Sequence, residues 1–129
     1  MSWQLVRKAT AVKDNLLILY RKKTKYSLAV DVYLPKIVRN QIPNCYRYKW
    51  VNVYKKDRFR FLFQLTPEAT SPHSRRLIRN NRFVLPWSLL SEFWPDGDDK
   101  MTVRAELENN NIFVDMRDLK SKRRWEHPC

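Results

Sequence analysis

Apolar and polar residues alternate with a period of two along several stretches of this chain, the spacing of a strand that lays one face on a core. Phe59, Phe61, Phe63 and Leu65 alternate with Arg58, Arg60, Leu62 and Gln64. Met101, Val103, Ala105 and Leu107 alternate with Thr102, Arg104, Glu106 and Glu108, and Leu28, Val30, Val32 and Leu34 form a third such face. Leu16 to Tyr20 is a continuous apolar run and reads as a fully buried strand. Tyr46 to Tyr54, Arg82 to Leu85 and Asn111 to Met116 complete the set. Pro35 to Gln41 and Pro86 to Phe93 break the rhythm. Each opens on a proline suited to the first turn of a helix and ends near another proline, Pro43 or Pro95, so two helices of about two turns are predicted.

The chain has one glycine, Gly97, so its tight turns fall to Asn and Asp, which tolerate left-handed backbone best after glycine. Asp14-Asn15, Lys56-Asp57, Asn80-Asn81, Pro95-Asp96-Gly97 and Asn109-Asn110-Asn111 are the candidates. The elements also recur in order. Leu34-Pro35 precedes Leu85-Pro86 by 51 residues, and Pro43 and Pro95, Val51 and Val103, and Phe61 and Phe113 are each 52 apart. Each copy reads strand, Leu-Pro, short helix, proline, strand, turn, strand, which predicts an internal duplication.

A length of 129 residues fits one domain, and 43% hydrophobic with 13% aromatic residues supplies the apolar surface that folding requires. Charge changes the picture more. Lys and Arg number 26 against 13 acidic residues, a net +13 that attracts polyanions. The excess is uneven: residues 1–66 carry 15 basic and 3 acidic side chains, residues 67–129 carry 11 and 10. Two cysteines, Cys45 and Cys129, make a disulfide framework unexpected. Met1 to Thr10 lacks an apolar run of signal-peptide length, and no stretch reaches the ~20 apolar residues of a membrane span. The expectation is an intracellular protein of cytoplasm or nucleus, with no membrane partner, and a monomer in preference to an oligomer.

The order two strands, helix, three strands, helix, two strands over residues 14–116 resembles the DNA-binding pseudobarrel family. That family includes the DNA-binding domain of plant auxin-response factors and effector domains of restriction endonucleases. Val32-Tyr33-Leu34-Pro35-Lys36 is similar to the strand-to-helix junction of its first half. Phe83-Val84-Leu85, a short helix and Gly97-Asp98 are similar to its second. The first copy departs from the pattern, with Asn44-Cys45 where the Gly-Asp turn would stand. The half-unit also resembles AbrB-type swapped-hairpin regulators. The resemblance implies a mainly β fold with two short helices, a seven-stranded open pseudobarrel of two repeated strand-helix-hairpin halves in a domain over residues 1–116; composition marks 117–129 as a basic tail. It further implies double-stranded DNA as partner, gripped by two loops, in transcriptional regulation or target recognition.

Composition independently marks the two loops that the resemblance maps. Arg21, Lys22, Lys23, Thr24, Lys25 and Tyr26 form the first, whose lysines suit phosphate contacts. The second runs from Thr66 to Asn81 and holds His73, Ser74, Arg75, Arg76, Arg79, Asn80 and Asn81, with Arg82 following. Arginine pairs bidentately with guanine edges and asparagine with adenine edges, so these are candidate base readers. Lys122, Arg123 and Arg124, beside Trp125, add candidate phosphate contacts in the tail. Lys55, Lys56 and Arg58 read as a solubilising strand end. Arg47 and Lys49 alternating with Tyr46, Tyr48 and Trp50 offer an alternative, a stacking platform for RNA or single-stranded DNA. A third alternative is an inhibitor protein, of viral origin for example, that binds an acidic partner surface.

Equipment for catalysis is sparse, and no enzyme, cofactor or metal is expected. One glycine is too few for a dinucleotide fingerprint or a P-loop. His73 and His127 lack partners at ligand spacing, and Cys45 has no neighbour marking a nucleophile. Asp96, Asp98 and Asp99 near Glu106 and Glu108 faintly suggest a metal-dependent nuclease, but no lysine follows the Glu106-Leu107-Glu108 pair of carboxylates.

Overall fold

Alternation decides the architecture. Val30, Val32, Phe61, Phe63, Met101 and Val103 are all buried, while their outward neighbours meet solvent or covering loops. The computed structural model describes residues 15–23, 28–95 and 97–121. Among these the strands are β1 Leu16–Lys23, β2 Leu28–Tyr33, β3 Trp50–Lys55, β4 Arg60–Thr66, β5 Arg75–Arg76, β6 Arg82–Pro86, β7 Lys100–Glu108, β8 Asn111–Asp115 and β9 Lys120–Ser121. Two one-turn helices, α1 Lys36–Arg39 and α2 Trp87–Leu90, follow Pro35 and Pro86.

The pairings are antiparallel and run in the order β5-β3-β4-β8-β7-β1-β2-β6, with β9 beside β7. The two ends of this path meet, because Nη1 of Arg75 in β5 donates to the carbonyl of Val84 in β6 at 3.1 Å. The protein is thus mainly β, with short helices and a nearly closed barrel-like sheet. The expectation of seven strands is corrected: eight lie along the path. The extra one arises in the stretch expected to be a bare loop, where Arg75 and Arg76 pair with Val51 and Trp50. Those pairings satisfy an edge of β3 that would otherwise expose its backbone groups.

Other departures are local. Leu16 to Tyr20 is buried on one face only: Leu17 and Leu19 point in, and Tyr20 is exposed, because the outside of a barrel has no second layer. The run from Tyr46 begins as a 3-10 turn, Cys45–Arg47, entered through left-handed Asn44 at φ 56°, so β3 starts at Trp50. α1 is half the expected length, whereas α2 continues as a 3-10 turn, Ser91–Phe93, and so reaches the expected end at Phe93. Neither has a side-chain cap, and each is held by one buried residue, Val38 or Leu90.

Inside, Phe63 and Phe83 meet edge to face at 5.1 Å, joining β4 to β6 through the core. Trp87 and Trp94 do the same at 5.6 Å beneath α2, where Nε1 of Trp94 donates to the carbonyl of Asp98 at 2.6 Å. Asparagine supplies most left-handed turns: besides Gly97, positive φ occurs at Asn44, Asn80, Asn109 and Arg79 among the described residues. No described helix is long and apolar enough to cross a membrane.

Candidate nucleic-acid interface

Strand parity sorts the first basic segment. Arg21 shares the parity of inward-facing Leu17 and Leu19, and at the barrel end its guanidinium lies 5.6 Å from the Trp87 ring centroid. Its Nη2 is 2.8 Å from Oδ1 of Asp99, and its backbone N–H donates to the Asp99 carbonyl at 2.9 Å. Arg21 therefore ties β1 to the turn before β7. Lys22 has the other parity and extends over the outer face of β2, where Nζ is 3.7 Å from Oδ2 of Asp31. Lys23 is exposed. Thr24, Lys25 and Tyr26 lie outside the described residues, as do Lys122, Arg123 and Arg124 of the tail.

The second segment is organised around Asn52, an outward residue of β3 that the loop buries. Nδ2 of Asn52 donates to Oγ1 of Thr70 at 2.7 Å, and its Oδ1 accepts from the Ser74 hydroxyl at 2.5 Å. The Ser74 oxygen also accepts from the backbone N–H groups of Thr70 and Ser71, at 3.1 and 3.2 Å. Ser74 is thus a fastener of the loop. His73 is exposed beside it, and Arg75 closes the barrel seam. Arg76 points outward, its guanidinium 5.5 Å from the Trp50 ring.

A tight hairpin then leads into β6. The N–H of Asn81 donates to the carbonyl of Ile78 at 3.1 Å, with Arg79 and Asn80 between them at φ 53° and 60°. Paired left-handed residues match the twist of a two-residue hairpin, but a side chain other than Gly or Asn there costs about 1–2 kcal/mol. The strained Arg79 is one wall of an outward cavity. Asn80 bridges the other way, accepting from Nζ of Lys49 at 3.5 Å and donating to the Tyr46 carbonyl at 3.4 Å.

The cavity, about 300 Å³, is lined by Tyr20, Asp31, Tyr33, Arg79, Asn81 and Arg82. Among them Asp31, in β2, is paired in register with Tyr20 of β1 and Val84 of β6. The Asp31 side chain is only 11% exposed. Nη1 of Arg82 reaches within 3.5 Å of Oδ2, opposite Lys22. Oδ1 is buried without a hydrogen-bond partner. Members of both predicted basic segments, Lys22 from the first and Arg82 from the second, thus converge on one carboxylate. Nζ of Lys100 in β7 sits 5.4 Å from the Tyr20 ring.

A cationic and aromatic band results. It runs from Arg76 on Trp50, through Lys49 and Asn80, over the Arg79 hairpin to Arg82, Tyr33 and Lys22, and ends at Tyr20 under Lys100. Sequence reading missed Tyr20, Asp31, Tyr33 and Lys100. One signal was available: Asp31 interrupts the apolar run Ala29-Val30-Asp31-Val32, and a carboxylate mid-strand needs a partner there.

Elsewhere among the described residues several cations are paired with carboxylates. Asp57 accepts from the backbone N–H groups of Phe59 and Arg60 and pairs with the Arg60 guanidinium, which holds its carboxyl down to about 2. Hydrogen bonds from Arg117 lower Asp115 in the same way, and Arg58 pairs with Glu92 at 2.8 Å. A groove of about 520 Å³ on that side carries mixed charge, Arg104 and Lys56 with Glu106 and Asp118, around Tyr54 and Phe113. Tyr46 is 69% exposed in its 3-10 turn while Tyr48 packs on the core, so Tyr46, Tyr48 and Trp50 share no strand face. Asp99 is engaged by Arg21, and burial pushes the Cys45 thiol up despite the Arg39 charge nearby. No group of three His, Cys, Asp or Glu side chains converges among the described residues; Asp96 and His127 lie outside them. No protein-family model, curated protein or solved structure matches this chain.

Proposed function

We propose that this protein binds nucleic acid through the band, and that it favours strands whose bases are accessible. The observation that carries this reading is the pairing of cations with aromatic rings along the outer wall of the barrel, Arg76 with Trp50 and Lys100 with Tyr20, with the Asp31 cavity between them. Cations hold phosphates, and ring faces take unstacked bases at about 1–3 kcal/mol each. The band is built on paired strands and a tight hairpin, so little ordering cost opposes binding.

A second reading is sequence-specific double-stranded DNA binding in the manner of the pseudobarrel family, with a role in transcription or target recognition. It draws support from element order: β2, α1, a 3-10 turn, β3 and β4 are followed by β6, α2, a 3-10 turn, β7 and β8. Two related halves are part of that reading.

Competition binding with length-matched single-stranded DNA, RNA and duplex DNA separates the two. The first reading predicts that a single strand displaces duplex, with affinity falling as about the third to fourth power of salt for four to six phosphate contacts. Duplex displacing single strands favours the second. A salt-independent response, or no binding to any of the three, overturns both and leaves an acidic protein surface as the partner.

A further inference from the structure

We infer that the Asp31 cavity is a base-reading pocket that selects guanine from an unpaired segment; this rests on the nucleic-acid reading above and names the feature that the band recognises. One lining residue is a carboxylate with one ion-paired oxygen and one unpaired oxygen. Lys22 and Arg82 approach Oδ2, at 3.7 and 3.5 Å, whereas Oδ1 is buried without a hydrogen-bond partner. A buried acceptor left unpaired costs about 1–3 kcal/mol, so a ligand N–H that reaches it once the Lys22 and Arg82 ends move aside offsets that cost. The walls have the opposite character. Arg79, Asn81 and Arg82 are donors, and Tyr20 and Tyr33 are aromatic.

This arrangement distinguishes the bases. Guanine alone presents two adjacent donors, N1–H and the N2 amine, on its pairing edge, and keeps O6 and N7 as acceptors for arginine. Adenine and cytosine set a ring-nitrogen acceptor beside their single amine, and that nitrogen would face the carboxylate. Uracil and thymine flank one N–H with two carbonyl oxygens. Each of these places a lone pair against an anion. Lys22 and Arg82 are 55% and 37% exposed at the side chain, so their ends can move aside to admit the edge and then meet the adjoining phosphates. Arg79, held in a left-handed conformation, closes one side of the pocket.

The test uses the full chain and fluorescent single-stranded oligonucleotides of thymidine with one central position varied among guanine, adenine, cytosine and inosine. Guanine is expected to bind about tenfold or more tighter than adenine or cytosine, with inosine, which lacks the N2 amine, in between. Asp31→Asn should bring the guanine-to-adenine ratio close to one, since its amide can donate where the carboxylate only accepted. Should that variant not fold, the guanine, adenine and inosine series on the natural chain still decides. Salt-dependent binding that is indifferent to the central base overturns the pocket and leaves the nucleic-acid reading intact. Absence of binding to all four oligonucleotides overturns both.

Discussion

Nη1 of Arg82 lies 3.5 Å from Oδ2 of Asp31, a carboxylate that is buried on the outer face of the barrel and whose second oxygen has no hydrogen-bond partner. Removing one member of such a pair costs more than neutralising the charge itself, because a buried ion left with less compensation must be accommodated. Arg82→Met should therefore destabilise the protein by about 1–3 kcal/mol, and Asp31→Asn by less than about 1 kcal/mol. Urea unfolding of the two variants checks the order; a larger loss in Asp31→Asn contradicts it.

Arg79 should show stability and binding pulling apart. Its φ of 53° suits glycine, so Arg79→Gly should relieve strain and raise stability by about 1 kcal/mol. The same change removes a cavity wall and a cation, and should weaken oligonucleotide binding severalfold. Thermal melts and a binding titration on one preparation suffice. A variant that is less stable, or binds as well as the natural chain, contradicts the role given to this hairpin.

Asn52 fixes the loop over β3 through Thr70 and Ser74. Asn52→Ala removes both bonds and leaves the Ser74 hydroxyl without its acceptor, at a cost of about 1–3 kcal/mol. Limited proteolysis should then cut first between Thr66 and Arg76. Unchanged resistance to trypsin there contradicts a loop ordered from its middle.

How far the chain announced this arrangement can be judged from these same residues. Alternation in Phe59 to Leu65 and Met101 to Leu107 placed the core correctly, since burial on a barrel wall follows a period of two. Leu-Pro at positions 34–35 and 85–86 marked both helices. Pairing was not legible. That Lys22 and Arg82 converge depends on β2 lying between β1 and β6, a long-range choice with no local signature. Parity was legible, because Arg21 and Lys22, neighbours in sequence, must leave a strand on opposite faces. The loop around Ser74 looked unstructured because its order comes from Asn52, 22 residues earlier.

Acid should selectively loosen the turn between β3 and β4. Hydrogen bonds from Arg60 hold the Asp57 carboxyl at about 2, below its ordinary 3.8. A carboxyl lowered on folding contributes stability above its unfolded value, and that contribution is lost as pH falls through the folded one. The Tm difference between the natural chain and Asp57→Asn should be constant above about pH 5, shrink between about pH 4 and 2, and diminish in high salt. A difference that grows on acidification contradicts this sign.

The location of the nucleic-acid site is tested most directly by two charge-matched triple variants in the same salt titration. One removes Lys49, Arg79 and Lys100 from the band, and the other removes Lys36, Lys55 and Lys56 elsewhere on the surface; all six are replaced by alanine. The band variant should lose tenfold or more in affinity for a guanine-containing single strand and about two units of salt slope, and the other triple about threefold or less. Equal losses from both triples contradict a localised interface, because only the overall charge would then be at work.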